Sequence, residues 1–285
     1  MDIDVLGTLA VRHNGVSITP TAPKPRQVLA LLALHADQVV PVGVLTEELW
    51  GAEPPRSARA TLQTYILQLR ELITTALEDG ARDGTGEDAR DGTGPRRTAK
   101  DLLLTVPGGY LLKGDDGISD VREFGRLAGT GYRAMDAEDH PQAARLLREA
   151  LDLWTGPALA DVHCGPHLQP HAKQLEESRL CAMDQRVEAD LRLGRHRELL
   201  AELTVLVNQY PTHESLCGQY MLALYRSGRR GEALGAYQRL RATLVRTMGL
   251  EPSSALAKLQ RSILMSGPDP LPARPATSPS VARVG

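Results

Sequence analysis

Two seven-residue stretches constrain this chain more than any other feature. Gly194-Arg195-His196-Arg197-Glu198-Leu199-Leu200 and Gly228-Arg229-Arg230-Gly231-Glu232-Ala233-Leu234 stand 34 residues apart and match at glycine, arginine, glutamate and leucine. His140-Pro141-Gln142-Ala143-Ala144 forms a weaker third copy. A period of this length belongs to a pair of helices too small to bury its own apolar face, so successive copies must stack. From Ser119 onward the whole chain follows suit. Apolar residues recur at helical spacing in segments near 119–136, 140–154, 167–193, 195–210, 213–227, 229–248 and 253–265, separated by Gly, Pro or Asp/His breaks.

This part therefore reads as a tetratricopeptide-like all-α domain. Trp154, Tyr220, Tyr225 and Tyr237 fall at repeat positions and read as core rather than as a ligand cage. The N-terminal part follows a different order. Ile3 to Ile18 alternates apolar and polar residues around Asn14-Gly15, a hairpin signal. A helix is expected over Pro23–Ala36, with Pro25 in its first turn and Val28, Leu29, Leu31, Leu32 and Leu34 inward; Val39-Val40 is a short extended link. A second helix runs from Val42 to Trp50 and stops at Gly51 and Pro54-Pro55. Ser57 can cap a third that reaches Leu77, with Leu62, Ile66, Leu69 and Ile73 as one buried stripe. A second hairpin follows at Leu102–Val106 and Tyr110–Leu112, across Gly108-Gly109. The order is hairpin, three helices, hairpin, and the last two helices with the hairpin after them are the parts of a winged helix-turn-helix, so the fold class is mainly α with small β hairpins.

Between the third helix and the second hairpin, ARDGTG occurs twice, at 81–86 and 89–94. The Gly- and Asp-rich stretch 79–97 has nothing to bury and is expected to be disordered, as is the proline-rich tail 267–285. The expected division is a DNA-binding domain over 1–113, a helical-repeat domain over 114–266, and that tail.

The N-terminus lacks the basic start and long apolar run of a secretion signal, and no apolar stretch approaches a membrane span, so the expected location is the cytoplasm, around the nucleoid. Cys164, Cys181 and Cys217 are too few and scattered for a disulfide framework. Five lysines against 28 arginines hint at a GC-rich genome. The formal charge of −2 carries no basic footprint of the kind that nucleic-acid binders usually show. Residues 1–113 hold 12 Lys/Arg against 14 Asp/Glu, but without 78–95 the balance becomes 10 against 8, a modest positive charge.

PKPRQVLALLALHADQVVPVGVLTEELWG, SARATLQTYILQLREL and VPGGYLL resemble the winged-helix domain of the Streptomyces antibiotic regulatory protein family. ALDLWTGPALADV, ESLCGQYMLALYRSGRRGEALGAYQRLRATL and GLEPSSALAKLQ resemble that family's bacterial transcriptional activation domain. The resemblance covers about 1–265 and has two departures: the loop enlarged at 79–97, and a chain that stops after the activation domain, without the ATPase module of larger members. It implies an OmpR-like winged helix without a receiver domain, and activation of antibiotic biosynthetic genes. The implied partners are double-stranded promoter DNA with direct repeats near the −35 region, two protomers side by side on it, and RNA polymerase with its sigma factor.

If the apolar stripe of the third helix faces the core, Ser57, Thr61, Thr64, Gln68 and Glu71 point outward, with Arg59, Gln63 and Arg70 on the flanks. Glutamine can pair with adenine, threonine can touch a thymine methyl, and arginine can take guanine or phosphate. Recognition helices read mostly with their N-terminal part, so the candidate base readers are Arg59, Thr61, Gln63 and Thr64, with Gln68 a further candidate DNA contact; Arg56, Arg59 and Arg70 are candidates for phosphate. On the wing, Lys100, Tyr110 and Lys113 are candidate contacts, with Arg96-Arg97 leading in; Tyr110 reads equally well as packing. Lys24 and Arg26 could touch phosphate or stay solvated. His163-Cys164, His167 and His171 have metal-like spacing, but Pro166 and Pro170 interrupt them, and a loop is the better reading. No nucleophile motif, carboxylate pair or phosphate loop occurs, so no enzyme and no cofactor is expected. The other reading is a helical-repeat adaptor without specific DNA binding; a catalytic domain fused to repeats lacks any site.

Overall fold

The computed structural model describes residues 1–82, 97–114 and 117–265. Most of the duplicated ARDGTG stretch, Arg96 and the proline-rich tail lie outside the described residues. Two compact units emerge: residues 1–127 with 149–180, and 128–148 with the chain from 181 on. Among the described residues no helix is long and apolar enough to cross a membrane.

In the first unit, β1 (Asp2–Asp4), β2 (Ala10–His13) and β3 (Val16–Ser17) form an antiparallel sheet in that order. Asn14 and Gly15 turn the hairpin with φ of 49° and 80°, the positive pair that a two-residue turn between twisted strands requires. α1 (Pro23–Leu34) starts on its two prolines and is buried on nearly every side from Gln27 to Ala33. It stops at Leu34, two residues earlier than its spacing suggests, and Asp37 follows with φ of 66°. The Val39-Val40 link is β4 (Val39–Pro41), a full strand paired with β6. α2 (Val42–Trp50) ends at Gly51, whose amide donates to the Glu47 carbonyl.

α3 (Ala58–Arg82) buries the expected stripe: Leu62, Ile66, Leu69, Ile73 and also Ala76 are each at most 2% exposed. After the break, α4 (Ala99–Leu102) is a single turn that the sequence reading missed. It exists because Thr98 and Asp101 form a reciprocal capping box, with the Thr98 amide 2.8 Å from the Asp101 carboxylate. β5 (Leu103–Val106) and β6 (Gly109–Leu112) complete a second sheet, ordered β4-β6-β5.

Residues 149–180 join this unit through backbone bonds. The amides of Thr155, Leu159 and Ala160 donate to the carbonyls of Leu6, Val5 and Gly7. Glu48, 2% exposed on α2, accepts the amides of Gly165 (2.6 Å), His167 (2.8 Å) and Leu168 (3.0 Å). Its carboxylate thus caps the first turn of α7 (Leu168–Arg192), satisfying donors that a helix start leaves open.

α5 (Asp120–Asp136), α6 (His140–Asp152) and α7 contribute residues to both units. The second continues with α8 (Leu200–Gln209), α9 (Glu214–Arg226), α10 (Arg230–Met248) and α11 (Ser254–Leu264). α8 begins five residues after the expected start at 195. The 34-residue repeat is visible in the backbone. Gly194 and Gly228 both have φ of 79°, and the residue after each donates to a carbonyl five back: Arg195 to Asp190, Arg229 to Leu224. Glu138 takes the same place in the weaker copy, with φ of 58° and Asp139 donating to Ala134. This left-handed close ends a helix and turns the chain into the next one. Tyr220 and Tyr237 are buried in this unit's core, Tyr225 is half-buried against it, and Trp154 is buried in the first unit.

Candidate nucleic-acid interface

α3 offers the first unit's outward polar surface. Because Leu62, Ile66, Leu69 and Ile73 all turn inward, the residues half a turn away have no core to meet. Arg56, just before the helix, and Arg59, Gln63, Thr64, Gln68 and Glu71 along it are exposed; Thr61 is half-buried. The Thr64 hydroxyl donates to the Ala60 carbonyl at 3.1 Å, so its donor is used within the helix. Leu67 is 56% exposed on the same face, a position that the helical stripe alone does not flag.

Arg70 is placed differently from the exposed arginines. Its Nε (3.1 Å) and Nη2 (2.8 Å) donate to the Leu103 carbonyl, and Nη2 donates to the Thr105 hydroxyl at 2.8 Å. The guanidinium ties α3 to β5 and so fixes the wing hairpin against the helix. Lys100 is exposed on α4, and Lys113 is half-buried just past β6. Arg97 is exposed; Lys113 and Arg97 both lower the Asp101 carboxyl, after the larger effect of its hydrogen bonds to Thr98.

Tyr110 corrects the wing reading: it is 7% exposed and belongs to the core. It sits in β6, the middle strand, where alternation puts Tyr110 and Leu112 on the buried face, so the ring packs in the core rather than facing solvent. Lys24 and Arg26 are also occupied. Lys24 Nζ donates to the Leu49 carbonyl at 2.5 Å, at the end of α2. Arg26 pairs with Asp161 at 2.9 Å. In the His/Cys stretch, His167 Nε2 lies 3.0 Å from Glu47, His171 packs edge-on against His35, and Cys164 Sγ points to the Val162 carbonyl. The arrangement is a loop and helix start.

Lys100 and the candidate residues of α3 other than Arg70 thus reach solvent in one winged-helix unit, whereas Tyr110 and Arg70 serve its packing.

Two family models match the chain: "Transcriptional regulatory protein, C terminal" over residues 17–82, and "Bacterial transcriptional activator domain" over 119–264. The chain is 50% identical to the regulatory protein DnrI of Streptomyces peucetius, over 94% of this chain and 93% of that protein. It is 35% identical to the regulatory protein AfsR of Streptomyces coelicolor, covering 93% of this chain but 24% of AfsR. Among solved structures, EmbR of Mycobacterium tuberculosis, in complex with a low-affinity phosphopeptide, aligns with a TM-score of 0.79 and 32% identity, over 94% of this chain and 65% of EmbR. The fold is therefore an N-terminal OmpR-like winged helix followed by a helical activator domain.

Proposed function

Because this chain belongs to the Streptomyces antibiotic regulatory protein family, and the relatives it matches are named as transcriptional regulators, we propose that it activates a secondary-metabolite gene cluster by reading its promoter with α3. In this reading α3 enters the major groove. Arg59, Thr61, Gln63, Thr64 and Gln68 face base edges, while Arg56, Lys100 and Lys113 meet phosphates. The observation that carries it is the exposed outward face of α3 beside a wing that Arg70 holds in place.

The modest positive charge of the winged-helix unit argues that one protomer binds weakly, since each phosphate contact adds a salt-dependent increment. Two protomers on direct repeats one helical turn apart recover the affinity, packed head to tail rather than about a two-fold axis. The helical activator domain, over about 114–266, contacts RNA polymerase through its sigma factor near the −35 region. The setting is the cytoplasm, on the nucleoid.

The test is a footprint of the full chain on the promoter regions beside its own gene, with competition by bulk DNA. A protected direct repeat is expected, bound more tightly than either half-site alone, with Arg59→Ala weakening the preference. Equal affinity for bulk DNA would leave a protein-binding adaptor. Transcription from that promoter with purified polymerase assigns the sign: a rise marks an activator, a fall a repressor.

A further inference from the structure

We infer that the outermost line of α3 reads the 5-methyl group of thymine, so that each half-site holds one required A·T pair opposite Leu67. This rests on the DNA-reading function above and adds the class of base pair that the site selects.

Ala60, Thr64, Leu67 and Glu71 follow one another at spacings of four, three and four, directly opposite the buried stripe. All four are exposed, Leu67 by 56%. A lone surface leucine is ordinary; this one occupies the line that would lie deepest in a groove. The two positions before it on that line are also poor in free donors. Ala60 offers a methyl group, and the Thr64 hydroxyl already donates to the Ala60 carbonyl. Three consecutive positions therefore present carbon to a partner. Exposed amides flank the line, Gln63 on one side and Gln68 on the other.

Among the base edges of the major groove, only thymine offers an apolar group. Leucine against guanine or cytosine would strip a hydrogen-bonding atom of water and return nothing. Against an A·T pair the chemistry matches on both strands: the carbon line meets the methyl of thymine, and a neighbouring glutamine amide takes N6 and N7 of adenine.

The operator need not be known. The full-length chain is used to select duplexes from a random pool, and the enriched duplex is remade with uracil in place of thymine at each A·T pair in turn. Uracil pairs as thymine does and lacks only the methyl. At one pair per half-site, the replacement is expected to weaken wild-type binding on the order of fourfold, the effect of losing one buried methyl-sized contact. Leu67→Ala should bind both forms of that duplex equally, with an unchanged far-ultraviolet spectrum. If a sequence is enriched but wild-type binding ignores every uracil, the methyl reading falls and DNA recognition stands. If no sequence is enriched, both fall.

Discussion

Asp190 lies on α7 with its carboxylate 2% exposed, and three arginines close on it: Arg148 at 3.0 Å, Arg186 at 3.2 Å and Arg195 at 2.8 Å. Arg186 is itself buried and also pairs with Glu202. Removing the shared acceptor leaves Arg186 short of charge compensation, so Asp190→Asn should cost roughly 3 kcal/mol in urea unfolding. Arg148→Ala and Arg195→Ala should each cost less than about 1 kcal/mol, because their side chains are 47% and 42% exposed. Equal losses for all three would deny Asp190 its central place. Asp120 shows the opposite electrostatics. Burial raises its carboxyl above the usual range, against the lowering effect of bonds from the Leu6 and Val5 amides. The folded chain then holds this proton more tightly than the unfolded chain. The group contributes stability at acid pH that is lost as pH rises through its raised folded value. Asp120→Asn keeps an acceptor for both amides without the charge. Its stability relative to wild type should increase from about pH 3 to pH 7; a flat or falling difference in paired unfolding curves would contradict this.

At the scale of elements, the left-handed close decides where helices end. Gly194 and Gly228 adopt it freely, whereas Glu138 adopts it with a Cβ. Glu138→Gly should therefore raise stability by about 1 kcal/mol, read as a higher denaturant midpoint with unchanged slope. No gain would mean that the Glu138 side chain contributes as much as its backbone loses. The contact between α3 and β5 has a functional readout as well. Arg70→Met removes three hydrogen bonds and should cost about 1–2 kcal/mol of stability. It should weaken DNA binding evenly across sequences with the salt dependence intact. A salt slope reduced by about one would instead place the guanidinium on a phosphate.

Over the whole molecule, chain segments far apart in sequence are joined by carboxylates on backbone amides, that of Glu48 buried and that of Asp161 part-buried. Glu48 reaches the start of α7 117 to 120 residues away, and Asp161 accepts the Leu9 amide 152 residues away. Glu48→Gln turns a donor group toward amides that need acceptors, including the Gln27 side chain at 2.8 Å. A loss of about 2–3 kcal/mol is expected. Both tryptophans, Trp50 and Trp154, lie in the first unit, so tryptophan fluorescence follows it directly. An unshifted fluorescence transition would show that α7 needs no cap from α2.

Periodicity, turn chemistry and the Gly51 helix stop were legible without a structure because each depends on residues within a few positions of one another, although the Thr98/Asp101 capping box of α4 was not read. The α3 stripe, the Asn14-Gly15 hairpin and the 34-residue repeat all appear where such local rules put them. Most of the polar face of α3 follows from the same geometry. The fates of Tyr110, Arg70, Lys24 and Arg26 were decided by tertiary structure, through β4 pairing beside β6, β5 lying under α3, the end of α2 meeting Lys24, and the 149–180 segment joining the first unit. A side chain's partner a hundred residues away leaves no periodic trace in the chain. Only folding shows which polar groups are spent on packing and which stay exposed to solvent.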